Sequence, residues 1–172
     1  MSYFYNKFGN DTINKAYELL EAVTPLSDDC GKLCNGRCCH GSENDGMLLF
    51  PHEKEYFLGL HGFTVKNDGK TGLDEVICNG TCERKDRPLS CRIFPLFFYA
   101  SKDPNGIVKI GVSADTRSHG VCPLVDKNMS FDREFERKMR MVSRIFEKDE
   151  EICDYLLNVT KIITDFGAFS AE

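Results

Sequence analysis

The chain has 172 residues, 41% of them hydrophobic and 28% charged, which fits one folded domain with a real core and argues against disorder. Its formal net charge of −5, with no basic block, argues against a nucleic-acid partner. No stretch approaches the roughly 20 apolar residues of a membrane helix, and Met1–Asn14 holds no signal-like apolar run, so the expected setting is the reducing cytoplasm, without a membrane partner.

The predicted fold class is α+β: one domain over residues 1–172, with a small hairpin-containing core, a Cys-rich loop region, an N-terminal helix and C-terminal helices. A helix is expected from about Asp11 to Val23, where Ile13, Ala16, Tyr17 and Leu20 recur at helical spacing. Asp11 suits its cap and Pro25 its stop. From Cys30 to Gly46 the chain carries Gly31, Gly36, Gly41 and Gly46 with Asn35 and Asn44, which is loop chemistry. Met47–Phe50 reads as a short strand, and Pro51 as the first turn of a helix through about Gly59.

Phe63–Lys66 and Leu73–Ile77 are expected to pair across the Asn67–Gly72 turn. Ile93–Ala100 and Ile107–Val112 form a second predicted hairpin around Ser101–Gly106, with Pro95 at an edge or an irregularity. The C-terminal part, 130–167, is helical. Phe131, Phe135, Met139, Val142, Ile145 and Phe146 form one apolar stripe. Ile152, Tyr155, Leu156, Val159, Ile162, Ile163 and Phe166 form another, across a break at Lys148–Glu151, with Gly167 as C-cap.

The chemistry lies in eight of the nine cysteines. Cys30, Cys34, Cys38 and Cys39 read C-x3-C-x3-C-C; Cys78, Cys82 and Cys91 read C-x3-C-x8-C; Cys122 precedes Pro123. In a reducing compartment, clustered thiols are more often metal ligands than disulfides, and an odd count fits a disulfide framework badly. All eight are therefore assigned as candidate metal ligands, in the motif region 30–123. Adjacent Cys38 and Cys39 point apart in extended backbone, so one can ligate while the other serves a second site or packs inward. Cys153 sits beside a helical apolar stripe and is read as core.

Arg84, Lys85, Arg87 and Arg92 lie near the second group, where cations lower thiol pKa values. Lys85 reads as solvated. Arg92 is the candidate for holding a cofactor, by donating to sulfur or to an anionic substrate, against the alternative of a surface ion pair. His40 and His119 are read as ordinary histidines in a chain already rich in thiols, and His52 and His61 receive no role.

These residues carry a resemblance. Cys30, Cys34, Cys38 and Cys39, then Cys82, Arg87-Pro88 and Cys91-Arg92-Ile93-Phe94-Pro95, resemble the YkgJ-type cysteine-cluster family, a zinc- or iron-chelating domain. Gly46–Glu53 is similar to the segment after the first cluster in some members. The family opens Cys-x2-Cys-x2-Cys-Cys; this chain has three-residue spacers. The resemblance covers roughly Cys30 to Pro123 and implies metal chelation. A similar cluster in the larger flagellin lysine N-methylases makes methyl transfer from S-adenosylmethionine a further reading. This chain is much shorter, though, and carries neither a Gly-x-Gly loop after a strand nor the C-x3-C-x2-C triplet of radical enzymes.

Two functional readings stay open. In one, an iron–sulfur cluster, of 4Fe–4S type, serves redox or electron-transfer chemistry as an accessory to another protein. The Gly-rich spacers, the nearby cations and the Cys-Pro ending point that way, and Phe94, Leu96, Phe97 and Phe98 suit a shell limiting solvent access. In the other, Zn2+ is structural and clamps a module that binds a protein partner.

Overall fold

The computed structural model describes residues 7–28, 30–39, 46–80 and 82–169, with side chains as far as 165. Helix α1 (Asp11–Leu20) is capped by Asn10, whose side chain accepts from the Ile13 N–H, so Asp11 falls in the first turn, not at the cap. The helix also stops three residues short of Val23. Arg84 satisfies the carbonyls of Leu20, Glu21 and Val23, which the end of the helix leaves without intrahelical partners.

The cysteine loop is not wholly irregular. It contains a four-residue helix α2 (Gly31–Cys34) and a 3-10 turn, Arg37–Cys39. Strand β1 (Met47–Leu48) is shorter than expected, and α3 (Lys54–Leu58) begins after Pro51. Pro51 instead lies in a tight turn, where His52 adopts a left-handed φ of 69° and the Glu53 N–H reaches the Phe50 carbonyl.

Strands β2 (Phe63–Asn67) and β3 (Asp74–Cys78) pair antiparallel across the predicted turn, and β1 joins β3 on its other side, in the order β1-β3-β2. Ile93 does not start a strand. It ends a short helix α4 (Leu89–Ile93), in which Leu89, Ser90, Arg92 and Ile93 are all buried. Strand β4 (Leu96–Lys102) follows the irregularity at Pro95 and pairs with β5 (Val108–Ala114) as a hairpin.

The short helix α5 (Pro123–Asp126) leads to α6 (Arg133–Phe146) and α7 (Glu150–Phe169), separated at the expected break. Gly167 lies inside α7 and does not cap it, a placement glycine tolerates at about 1 kcal/mol relative to alanine.

The core follows the predicted stripes. Helix α1 packs on α6, α6 on β5 and α7 on β4. Ile13, Tyr17, Leu20, Phe135, Met139, Val142, Phe146, Leu156 and Val159 are fully buried. Phe146 meets Phe98 at 5.1 Å and Phe50 at 5.6 Å between ring centroids. A small second cluster, Leu49, Phe57 and Val76, lies under the three-stranded sheet. Cys153 is buried, with its thiol donating to the Phe146 carbonyl at 3.3 Å, as a small core residue.

One buried carboxylate joins these parts. Glu53 accepts from the Phe50 N–H at 2.7 Å, the Leu89 N–H at 2.9 Å and the Tyr17 hydroxyl. It thereby links the β1–α3 turn, the start of α4 and the middle of α1. Burial raises its pKa, against the pull of these donors and of Arg92. Glu53→Ala strands three buried donors and should cost roughly 3–5 kcal/mol in urea denaturation. A raised carboxyl pKa favours the folded state fully below the unfolded value, and this contribution is lost as pH rises through the folded value. The wild type should therefore lose stability relative to Glu53→Gln over that window. Parallel pH–stability curves for the two would refute the assignment.

Candidate metal centre

The first cysteine group is shaped by two helical turns of opposite course. Cys30 precedes α2 in helical conformation and Cys34 ends it, so the two share one face at a four-residue spacing. Asn35 (φ 53°) and Gly36 (φ 65°) are both left-handed and reverse the chain, and the Gly36 N–H closes on the Gly31 carbonyl at 3.0 Å. Cys38 and Cys39 then return in the 3-10 turn. Because that turn is not extended backbone, the two adjacent thiols do not diverge: they are hydrogen-bonded to each other.

The second group arrives from β3 and α4. Cys78 is the last residue of β3, opposite Phe63, and Cys91 sits in the middle of α4. Cys82 lies in the loop between. Gly80 (φ 90°) lets this loop approach the first one: a Cβ there would stand 3.3 Å from the Cys39 carbonyl oxygen.

Cys122 is set by the end of the hairpin. Asp115 is buried, donates its N–H to the Pro95 carbonyl, and binds Arg117 through both carboxylate oxygens at 2.9 and 2.7 Å. Its carbonyl accepts from Ser118, whose own carbonyl holds the Cys122 N–H at 2.8 Å.

Two adjoining cavities collect these sulfurs. The first, of about 40 Å3, is bordered by Cys38, Cys39, Cys78, Cys82 and Cys91, with Arg87 and an apolar wall that includes Met47, Phe63 and Val76. The second, of about 460 Å3, is bordered by Cys30, Cys34 and Cys122 and shares Cys38, Cys39 and Cys91 with the first. None of the nine cysteines, all among the described residues, is in a disulfide. Among the described residues, no three Cys, His, Asp or Glu side chains meet as a ready-made coordination group. The thiols surround spaces and do not converge on a point.

Electrostatics at the cavities suit a cation. The Cys91 thiol is pushed well up by burial and by Cys82, Cys78 and Cys39. Cys38 is raised by its hydrogen bond to Cys39, by burial and by neighbouring sulfurs, including Cys30. Burial likewise raises Cys82, against the hydrogen bond from Arg87. Thiols crowded in this way resist ionisation by themselves, and a bound divalent cation reverses the balance. Burial disfavours the charge on Arg87, but the hydrogen bond to Cys82 and the nearby sulfurs of Cys39 and Cys91 hold its pKa above the usual value. Its Nε is buried with no hydrogen-bond partner among the described residues. A donor left over beside a set of sulfurs fits a negatively charged thiolate–metal group.

The other basic residues have different work. Arg92 is buried; it pairs with Glu21 at 2.5 Å, donates to the Arg87 and Arg84 carbonyls and lies 4.7 Å over the Tyr17 ring. It borders the larger cavity from this anchored position. Lys85 is exposed and pairs with Glu83. His119 is exposed, 3.8 Å from Asp126, and His40 lies outside the described residues. Lys32, Arg84 and Arg92 also border the larger cavity, but the cation hydrogen-bonded to a sulfur and bordering both cavities is Arg87, which the sequence presents only as one of several and within an Arg-Pro pair. Gly80 carried no signal in the cysteine spacing.

No described helix is long and apolar enough to cross a membrane. The chain matches no protein-family model, no curated protein and no solved structure at significance.

Gly80→Ala forces a side chain into a left-handed backbone and against the Cys39 carbonyl. It should cost about 1–2 kcal/mol and lower metal content. Unchanged urea midpoint and metal stoichiometry would show that the two loops do not depend on this approach.

Proposed function

We propose that this chain is a thiolate metal-binding protein of the YkgJ cysteine-cluster type. Its candidate ligands for an iron–sulfur cluster or zinc are Cys30, Cys34, Cys38, Cys39, Cys78, Cys82, Cys91 and Cys122. What supports this reading is that eight sulfurs from four separate segments border two adjoining cavities, while the ninth, Cys153, is packed in the core. The orphaned donor of Arg87 supplies compensating charge beside them.

Bound there, the metal would supply redox capacity if it is an iron–sulfur cluster, or a rigid clamp if it is zinc. The chain's own residues do the rest. Arg87 donates to sulfur, Phe63 and Val76 limit solvent, and the Glu53 and Asp115 networks fix where Cys91 and Cys122 stand. The iron–sulfur reading makes the protein a redox or electron-transfer accessory. The size of the smaller cavity favours a second reading there. About 40 Å3 admits only a few water-sized spheres, room for a single ion in preference to a cube of four irons and four sulfides.

Elemental analysis of protein purified without oxygen distinguishes these. Iron with acid-labile sulfide in a brown preparation supports the cluster, and stoichiometric zinc in a colourless one supports the single ion. Cys34→Ser and Cys91→Ser should each lower metal content and stability, and Cys153→Ser should leave metal content intact. Metal stoichiometry unchanged in both of the first two variants would sink the proposal.

A further inference from the structure

Within that reading, on which this inference rests, the cysteines do not serve one centre equally. We infer that the chain carries two unlike metal sites: a closed one of Cys39, Cys78, Cys82 and Cys91, and an open one in which Cys30, Cys34 and Cys122 hold a thiophilic cation with a coordination position left to an outside ligand.

The two cavities differ in the ways that separate closed from open metal sites. The smaller has a largely apolar wall and at least four thiols around it, enough to complete a tetrahedral thiolate site with no coordination position left over. The larger is more than ten times the volume and opens to solvent. Three of its cysteines, Cys30, Cys34 and Cys122, do not border the smaller cavity, and Lys32, Arg84 and Arg92 line the larger one beside them. Cys30 and Cys34 stand on one face of a helical turn, and a further surface hollow beside Cys34 is lined by Gly120 and Val121, which lead directly into Cys122. Three protein ligands facing an open space is the arrangement of exchangeable and catalytic sites, in which water or substrate takes the fourth position.

Cys38 stands between the two groups. It is exposed and hydrogen-bonded to Cys39, at the edge of both cavities. It is assigned to neither set of ligands. The ligand that completes the open site is a small soft donor, such as a thiol, admitted through the larger cavity.

The test uses the full chain, stripped of metal and reloaded with Zn2+ without oxygen. Bound zinc is counted by elemental analysis and its release followed with a chromogenic chelator. Two equivalents are expected, one leaving at least tenfold faster than the other. Cys30→Ser and Cys122→Ser should each remove the fast equivalent and keep the slow one; Cys82→Ser should remove the slow one. Cys30, being partly exposed, keeps the test usable where Cys122→Ser disturbs folding, which far-ultraviolet circular dichroism reads. Cys38→Ser should retain both equivalents; loss of the fast one would mean a fourth protein thiolate, overturning the open position. A single equivalent removed alike by Cys91→Ser and Cys122→Ser would overturn the two-site division while leaving metal binding in place. No bound zinc or iron in the unaltered protein would overturn metal binding itself.

Discussion

The position of Cys91 depends on a buried carboxylate from a different part of the chain. Glu53 holds the Phe50 and Leu89 N–H groups and the Tyr17 hydroxyl at once. A carboxylate without donors would be costly in that interior, and three donors without an acceptor would be nearly as costly. The requirement fixes where α4 begins, and α4 carries Cys91. Arg84 and Arg92 complete the same junction from the other side. One tethers the end of α1 through its last carbonyls, and the other buries its charge against Glu21 and Tyr17. The segment 84–92 is therefore held to α1 by polar contacts at both ends, and this leaves Arg87, between them, facing the thiols.

Around that frame the cysteine loops are short and cheap to shape. Left-handed residues at Asn35, Gly36 and Gly80 turn the chain, and at Gly80 a side chain would press on the Cys39 carbonyl. The apolar core draws on α1, α6, α7 and the β4–β5 hairpin and takes in Leu89 and Ile93 of α4, with none of the eight candidate ligands in it. A thiol-rich region attached to an independent core can change its occupancy without the whole fold being at stake, unlike small domains whose only interior is the metal.

The helices and hairpins were legible in the sequence because their apolar periods are long. Ile13, Ala16, Tyr17 and Leu20, the two C-terminal stripes as far as Ile163, and the turns at Asn67–Gly72 and Ser101–Gly106 all lie where expected, while the Phe166 side chain lies outside the described residues. The errors fall where tertiary hydrogen bonds overrule local pattern. Val23 lost its place in α1 to Arg84, and Pro51 its helix to the turn that serves Glu53. Ile93 looked like the start of a strand because five of the eight residues from 93 to 100 are strongly apolar; a helix over Leu89–Ile93 buries it equally well. The cysteine inventory was legible, but its partition was not. Spacing along the chain grouped Cys38 and Cys39 with Cys30 and Cys34, which they accompany around the larger cavity; a 3-10 turn together with the approach of Gly80 also brings them beside Cys78, Cys82 and Cys91. No local period encodes such an approach.

Cys38, Cys39, Cys91 and Arg87 border both cavities, so the wall between the two spaces is sulfur with one guanidinium beside it. Whatever fills one chamber draws charge from a partition that the other also feels. By thermodynamic linkage, the influence must run with equal strength in both directions. Neighbouring occupants separated by so polarisable a boundary are never energetically independent, and the affinity of either reports the state of its neighbour.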